Sequence, residues 1–539
     1  MYENKNMTGI SPFHLKGHQM TKAFGDARFR FAPCGYKPRD MDTIVYVRYK
    51  SLKEQDFNMH HKILGADNDH VHFDFPDREL LFSRQARCID GDRPFNERSG
   101  KQWHKAIALS LASSVGDDLP FDRFMINPHA FTPNTEPRWR EDVSNPTTDK
   151  VVISDSGGFQ MGHGSVNFIH PGELAEFYNR NADEGMVLDI PARALGDHDI
   201  LKYTARVQNL NTKYMQKIVK PGFRMGQVVH GLSLDRVDAF RRDTEKTEGD
   251  FPILSISGSL RFNIMEGIHR ILHIITSGRE YQQYHILGVS NPPFFAMAIR
   301  MAYILKKKGI DVLITADSSS PIAFSLKHTY YAQRVFYEGL NPTRFGTKMS
   351  SNADSPSSHV RNSHNRLGSN DVINQVLGGY QDTISGYNTT LTQISLMYMN
   401  QLEVCRYVNQ MCHYADVLNA KEYKEMIKEQ YSKSTHSHLL SATLDYLETF
   451  LEYDLDTAYE KFKFYMPTFS GVSGMHKFPA MEENEAMKEE DHTFNFKRKR
   501  LVKVIKGYLD FHKTGKIPEG AIAAKKENEK KISSLQIRL

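Results

Sequence analysis

Two spacings of apolar residues alternate along residues 149–321 of this chain. Short runs of mostly β-branched apolar residues recur, and between them lie segments whose apolar residues are three and four positions apart. The runs predict strands, and the segments predict amphipathic helices. The predicted helices are Pro171–Ala182, His198–Lys217, Leu234–Thr244, Asn263–Ile275 and Pro293–Lys308. This alternation is typical of parallel βαβ units.

Polar residues directly follow the predicted strands. The strands are Val151–Ser154, Met186–Leu188, Gln227–Val229, Ile253–Ile256 and Val312–Ala316, and they are followed by Asp155, Asp189, His230, Ser257 with Gly258, and Asp317. In a (β/α)8 barrel the carboxyl ends of all strands face one mouth, whereas a doubly wound open sheet would scatter these groups. An aspartate after a strand can be only the N-cap of the next helix. Three such aspartates together make capping alone a poor explanation, so we predict a TIM barrel with a site at its mouth.

The stretch from Tyr284 to Pro321 ends this pattern. Its first apolar run, Ile286–Val289, gives way to Pro292 and Pro293, which can open a helix but cannot continue a strand. A helix and a second apolar run follow, and that run leads directly to Asp317. The position of this aspartate favours a catalytic role.

A length of 539 residues predicts two or three domains. We assign residues 1–120 to an N-terminal extension with the first barrel elements. Residues 121–415 are assigned to the catalytic barrel, with a mobile loop over 345–370. Residues 416–539 are assigned to a helical, basic C-terminal region.

Composition indicates a cytoplasmic protein. No apolar run reaches the length of a membrane span, and the first residues lack the pattern of a secretion signal. The four cysteines are too scattered for a disulfide framework. Because the net charge is only +5, a nucleic acid would have to be held by local basic patches such as Lys497–Lys506.

Four segments resemble one enzyme family. The sequence DSGGFQ, residues 155–160, resembles the hallmark of tRNA-guanine transglycosylases. MVLD at 186–189 is similar to the second aspartate strand of that family, and GIDVLITADSSSP at 309–321 is similar to its nucleophile segment. HILGVSNP at 285–292 resembles the strand before that nucleophile. The resemblance spans roughly residues 125–325 and implies a (β/α)8 barrel that exchanges guanine in a polynucleotide for a 7-deazaguanine.

The resemblance implies a role for each matching residue. Asp317 would attack C1′ of the nucleotide, and Asp155 would be the general acid and base. Asp189 would accept hydrogen bonds from the guanine edge. The remaining substrate-binding residues would be Ser156, Gly157, Gly158, Phe159, His230, Ser257 and Gly258.

The chain departs from the family at two places. His230 stands where the family has a glutamine, and Ile253–Gly258 replaces a Gly-Gly-Leu-Ala stretch. The zinc ligands of the tRNA enzymes are missing, because no cysteine lies between Cys88 and Cys405. Cys405, Cys412 and His413 could share a helix face, but buried thiols explain them better than zinc. We therefore predict no metal and no cofactor.

These departures favour DNA over tRNA as the substrate. They are similar to those of the DpdA-type DNA-guanine transglycosylases of phages and bacterial islands, which insert 7-deazaguanines such as preQ0 into DNA. The expected partners are DNA, the free base and possible helper proteins, in a bacterial or phage-infected cell. The candidate phosphate contacts are Arg361, Arg366, Lys497, Arg498, Lys499 and Arg500. Modification of tRNA, or a non-catalytic accessory role, remains the alternative.

Overall fold

A computed structural model defines part of the chain. It describes residues 28–34, 122–128, 151–163, 168–191, 198–231, 233–257, 262–289, 291–319, 404–405, 407–409, 411–432, 434–470 and 492–518. The chain divides into two compact units. The first comprises Met1–Phe124, Phe131–Lys150 and Gly288–Glu452, and the second comprises Met125–Ala130, Val151–Leu287 and Tyr453–Leu539.

Eight strands form one sheet. They are β1 (Phe29–Pro33), β2 (Arg123–Ile126), β3 (Val151–Ser154), β4 (Glu184–Met186), β5 (Arg224–Val229), β6 (Ile253–Ile256), β7 (Gln283–Ile286) and β8 (Leu313–Ser318). The strand order is β1-β8-β7-β6-β5-β4-β3-β2. β3 to β7 pair in parallel with their sequence neighbours, and β1 pairs in parallel with β8. This order, with helices between the strands, confirms the predicted (β/α)8 fold.

The helices match the predicted amphipathic segments closely. They are α1 (Gly158–His163), α2 (Pro171–Asn181), α3 (His198–Met215), α4 (Leu234–Thr244), α5 (Ile264–Thr276), α6 (Pro292–Lys307), α7 (Ala420–Gln430), α8 (Ser437–Glu452), α9 (Leu455–Phe462), α10 (Pro467–Ser470) and α11 (His492–Thr514). The predicted bounds of α2 to α6 were right to within two residues. The reason is that the apolar residues of these helices recur three and four positions apart, and in α5 and α6 most residues are buried.

Four predicted strands have other bounds in the structure, and the first of them is β5, which begins at Arg224 rather than at Gln227. β8 extends through Asp317, which therefore lies inside the strand and pairs in register with Ala32 of β1. β7 ends at Ile286 because Gly288 turns the chain with a φ of 71°. β4 ends at Met186, although Val187 still donates its N–H to the carbonyl of Gly226 at 2.8 Å. Asp189 thus lies on the extended segment that leaves the sheet.

In the first unit, α6 packs against both β1 and α8. The rings of Phe29 and Phe31 meet the ring of Phe295 edge-on at 5.7 and 5.5 Å. Arg300 of α6 is almost fully buried and donates from Nε and Nη2 to the Glu448 carboxylate of α8 at 3.0 and 2.6 Å. This ion pair joins the barrel helix to the C-terminal helices of the same unit.

In the second unit, the C-terminal helix α11 packs against α1 and α3. The short helix α10, which follows α9, contacts the start of α5. The side chain of Asn263 and that of Glu266 form a reciprocal capping box there, and Glu266 also accepts the N–H of Thr468 at 2.6 Å. Residues near the end of the chain therefore complete the unit that contains β3 to β7.

The predicted domain bounds remain a prediction, and the loop at 345–370 lies outside the described residues. In the part of the chain that the structure describes, no helix is both long enough and apolar enough to cross a bilayer.

The Arg300–Glu448 pair gives a stability prediction. Glu448→Ala leaves the Arg300 guanidinium buried beside α8 without its carboxylate, so we expect unfolding to become easier by about 2–3 kcal/mol, less than for a fully enclosed pair. Asp445→Ala on the same helix is the control, because it removes only the exposed contact to Lys424. Guanidinium denaturation of both variants measures the difference, and equal midpoints would contradict the importance of the buried pair.

Candidate active site

The DSGGFQ segment makes a tight turn between β3 and α1. The N–H of Ser156 donates to Oδ1 of Asp155 at 2.8 Å, which ties the carboxylate to the backbone of the next residue. Gly157 has a φ of 77°, in the left-handed region that favours glycine. Phe159 then lies on α1 with 42% of its surface exposed. The turn thus places a half-buried carboxylate and an exposed aromatic ring close together along the chain.

The second glycine of the motif is needed for space. A Cβ atom on Gly158 would lie 2.7 Å from Oδ1 of Asp189 and would also overlap the Asp189 carbonyl. The helix can therefore begin at this point only if residue 158 has no side chain. The two glycines serve different purposes, since Gly157 provides a conformation and Gly158 provides room for Asp189.

Asp189 is held on both carboxylate oxygens. The Ser156 hydroxyl lies 2.7 Å from Oδ1, and Nε2 of His230 lies 2.9 Å from Oδ2. Nδ1 of His230 in turn lies 2.9 Å from the hydroxyl of Ser257, which is also 2.8 Å from the Val229 carbonyl. Asp189 and His230 are both buried, with 7% and 5% of their surfaces exposed. The segments after four strands of the second unit, β3 to β6, are therefore joined by one chain of hydrogen bonds.

Tyr178 of α2 contacts the backbone near both Asp155 and Asp189. Its hydroxyl donates to the Met186 carbonyl at 2.7 Å and is 3.3 Å from the Asp155 carbonyl. Burial, followed by the negative charges of Asp155 and Asp189, raises the pKa of Tyr178 well above its ordinary value. The phenol therefore stays neutral and acts as a donor. A Cβ on Gly185 of β4 would collide with the Tyr178 ring, so this strand needs glycine there.

Asp317 lies in the first unit and is 8% exposed. Its Oδ1 accepts the N–H of Gly288 at 3.0 Å. The donor is a backbone group at the turn where Gly288 adopts its positive φ. A main-chain donor on one oxygen restricts the rotation of this carboxylate.

The hydrogen-bonded side chains of Ser257, His230 and Asp189 resemble the triad of a serine hydrolase, but the two ring nitrogens of His230 have exchanged partners. In the hydrolase triad Nε2 faces the serine and Nδ1 faces the aspartate. Here Nε2 faces Asp189 and Nδ1 faces Ser257. The hydroxyl also lies within bonding distance of the Val229 carbonyl. This geometry serves to hold Asp189 rather than to activate Ser257.

Helix α11 anchors the segments that carry the site. The hydroxyl of Tyr508 donates to the Ile169 carbonyl at 2.7 Å and accepts the Ile169 N–H at 3.1 Å. His512 contacts Oδ1 of Asn211 at 2.7 Å, and the Asn211 amide donates to the Leu188 carbonyl at 2.9 Å, next to Asp189. The C-terminal helix is therefore built into the site's support.

Arg500 also belongs to this support. Its Nε donates to the Met161 carbonyl of α1 at 3.0 Å. A phosphate contact from this residue remains a prediction. Of the other candidate residues, Gly258, Arg361 and Arg366 lie outside the described residues, and the side chains of Lys497, Arg498 and Lys499 are not described.

The structure brings together eight of the predicted site residues within the second unit, on the turns after β3 to β6. They are Asp155, Ser156, Gly157, Gly158, Phe159, Asp189, His230 and Ser257. Asp317 lies in the first unit, and its action together with Asp155 remains a prediction.

The cysteines in the described residues are thiols. Cys405 is buried, and Cys412 donates from Sγ to the Phe29 carbonyl at 3.4 Å. Burial raises the pKa of Cys412 to about 12, so this side chain is not the thiolate that zinc prefers. Within the described ranges, no group of three or more His, Cys, Asp or Glu side chains is placed to hold a metal ion.

Several residues that support the site were not predicted from the sequence. Tyr178, Asn211, Gly288, Tyr508 and His512 all act through backbone groups or through residues far away in the sequence. Only Gly288 had a local signal, since it interrupts the apolar run at 286–289. In α11, Tyr508 is buried and its neighbour Leu509 is half-buried.

Comparison with known proteins supports a relationship to guanine transglycosylases. No family model matches the chain. A tRNA-guanine(15) transglycosylase of Methanocaldococcus jannaschii is 27% identical over 163 residues, which is 28% of this chain and 24% of that protein. The match spans about a quarter of the relative's length. The class indicated by fold and similarity together is that of (β/α)8 proteins related to guanine transglycosylases.

Gly158 allows a test of the crowded turn. Gly158→Ala should push the turn away from Asp189, and a displacement of about 1 Å at a reacting centre costs roughly 100-fold in kcat/KM. Gly507→Ala on α11 is the control, because the added methyl meets only the Pro518 ring, at 3.2 Å. Transferase kinetics and circular dichroism of both variants check this. A fully active Gly158→Ala enzyme would contradict the crowding argument.

Tyr508 allows a test of the anchoring helix. Tyr508→Phe removes the hydroxyl that serves both backbone groups of Ile169, and leaving them unpaired should destabilise the protein by about 1–3 kcal/mol. Tyr203→Phe on α3 is the control, because Tyr203 is 47% exposed. Chemical denaturation compares the two, and an unchanged stability of Tyr508→Phe would show that water replaces the hydroxyl.

Proposed function

We propose that this protein is a DNA-guanine transglycosylase that replaces guanine in DNA with a 7-deazaguanine base such as preQ0. The observation that carries the proposal is the pair of donors, Ser156 and His230, that fix the two oxygens of Asp189 at the end of the DSGGFQ turn. A carboxylate held in this way suits a ligand with two neighbouring N–H groups, as on the edge of guanine.

The first half of the reaction releases guanine. Asp317 attacks C1′ of the target nucleotide, the bond from C1′ to the base nitrogen breaks, and the electron pair stays on the departing base. Asp155 donates a proton to that base as general acid. The product is a covalent ester between Asp317 and the sugar, with the polynucleotide backbone intact.

The second half reverses these steps with a different base. Asp155, now a carboxylate, takes the proton from the ring nitrogen of the incoming 7-deazaguanine. That nitrogen attacks C1′ and displaces Asp317, so the configuration at C1′ is retained after two displacements. The exposed ring of Phe159 offers a face for stacking either base.

The substrate must present its guanine outside the stack. In a duplex C1′ and the base edge are hidden, so the nucleotide is flipped or single-stranded, at a cost of a few kcal/mol. Phosphate contacts from Lys and Arg offset that cost and make binding dependent on salt. The lack of cysteines between Cys88 and Cys405, where the tRNA enzymes have zinc ligands, supports DNA rather than tRNA.

Asp317 is tested by trapping the intermediate. Mixed with DNA and no incoming base, the wild-type protein should form an adduct that survives a denaturing gel. Asp317→Asn should form none while binding DNA with unchanged affinity, because the amide keeps the shape but is a poor nucleophile.

Asp311→Asn is the matched control, since Asp311 lies just before β8 and its side chain is 64% exposed. It should form the adduct like wild type. An adduct in Asp317→Asn would overturn the nucleophile assignment.

The nucleic acid is identified by a direct competition. Purified protein is incubated with labelled preQ0 and either DNA or tRNA, and incorporated label is counted. Incorporation only into tRNA would contradict our proposal and would show that the substrate is tRNA, as the name of the related enzyme indicates for that protein. Binding of either polymer without incorporation or adduct would instead favour an accessory subunit, against which the presence of Asp155, Asp189 and Asp317 argues.

A further inference from the structure

We infer that His230 is a positioning residue that orients Asp189 and is not itself a contact for the base, so that it governs the selectivity of the pocket through the carboxylate. This inference rests on the proposed function for its ligand, a base with a guanine-like edge. The hydrogen bonds that support the inference are formed between side chains of the protein and involve no ligand. They join β4, β5 and β6 of the second unit.

The ring of His230 is confined on several sides. It is 5% exposed, and the ring of Phe240 meets it edge-on at 5.3 Å. The next residue, Gly231, has a φ of 131°, and a Cβ there would overlap the backbone of Val237. The turn after β5 therefore fixes the backbone from which His230 projects, and Phe240 limits the rotation of the ring.

Counting protons shows what His230 can offer. An ionised carboxylate only accepts, so Nε2 of His230 must carry the proton that binds Asp189. The Ser257 hydroxyl has one proton and two neighbours, Nδ1 of His230 and the Val229 carbonyl. If it donates to Nδ1, the imidazole is neutral. If it donates to the carbonyl, Nδ1–H donates to the hydroxyl and the ring is an imidazolium.

In both arrangements the two ring nitrogens are already engaged. Nε2–H points to Asp189, and Nδ1 pairs with Ser257. His230 has no further N–H to give to a ligand while these bonds persist. A histidine at this position therefore acts on the base only through Asp189.

The other oxygen of Asp189 completes the arrangement. Its donor is the Ser156 hydroxyl, which in turn accepts the N–H of Gly158 at 3.1 Å. A carboxylate has about four acceptor positions, so these two bonds leave about one on each oxygen. Two parallel acceptors match a ring N–H beside an amino group. They select guanine and 7-deazaguanines, and they reject adenine, whose ring nitrogen at that edge has no proton.

The test compares two variants of His230. Glutamine keeps an N–H that can reach Asp189, whereas phenylalanine keeps the bulk and loses the donor. Loss of a hydrogen bond to a charged group should raise the Kd for free 7-deazaguanine roughly tenfold or more in His230→Phe. His230→Gln should stay within about threefold of wild type, because the donor is restored. Adenine should bind none of them.

Kinetics separate positioning from a general defect. His230→Phe should raise the KM for the base, with the KM for DNA nearly unchanged. Its melting temperature should fall, because one oxygen of the buried Asp189 loses its donor, whereas that of His230→Gln should fall less. Equal affinity for the base in His230→Phe and wild type would overturn the inference. So would a loss in His230→Gln as large as that in His230→Phe, because restoring the donor would then have no value.

A second measurement needs no activity. In 15N NMR of the free protein, the ring of His230 should show a protonated Nε2. Asp189→Asn should shift the Nε2 signal most, and Ser257→Ala should shift the Nδ1 signal most. An unprotonated Nε2 would overturn the inference. If these signals appear but no nucleic acid is modified, the proposed function fails and the positioning role stands.

Discussion

The organisation of the second unit depends on one carboxylate, that of Asp189, being approached by a donor on each oxygen. Ser156 and His230 come from the turns after two different strands, and both turns contain a glycine that makes the approach possible. Because Asp189 is buried, unpaired oxygens would carry a large desolvation cost. These hydrogen bonds fix the positions of the segments after β3, β4 and β5 relative to one another, and they do so without a ligand.

Uncharged side chains near this carboxylate connect the surrounding backbone segments by hydrogen bonds. Tyr178 is kept as a phenol by burial and by the two nearby charges, and it ties the backbone below Asp155 to that of β4. Asn211 and His512 connect the next turn to the far end of the chain. Such a network of hydrogen bonds resists rotation of the charged groups.

Much of this could be read from the sequence, for a physical reason. Helices α2 to α6 could be predicted because their apolar residues recur three and four positions apart. The barrel could be predicted because these helices alternate with strands. The position of Asp317 was placed after β8 rather than within it, because pairing with Ala32 is a property of a strand nearly 300 residues away. Tyr508 was missed for the same reason, since its partner Ile169 is 339 positions earlier.

The contact between Gly288 and Asp317 has a consequence for how the proposed nucleophile can vary over time. Every residue except proline carries a backbone N–H, so no ordinary substitution at position 288 deletes the donor. A larger residue there would strain the turn, because its φ is 71°, yet the hydrogen bond would still be available. The main-chain contact from Gly288 to Asp317 is therefore less sensitive to substitution than the contacts to Asp189, which come from the side chains of Ser156 and His230.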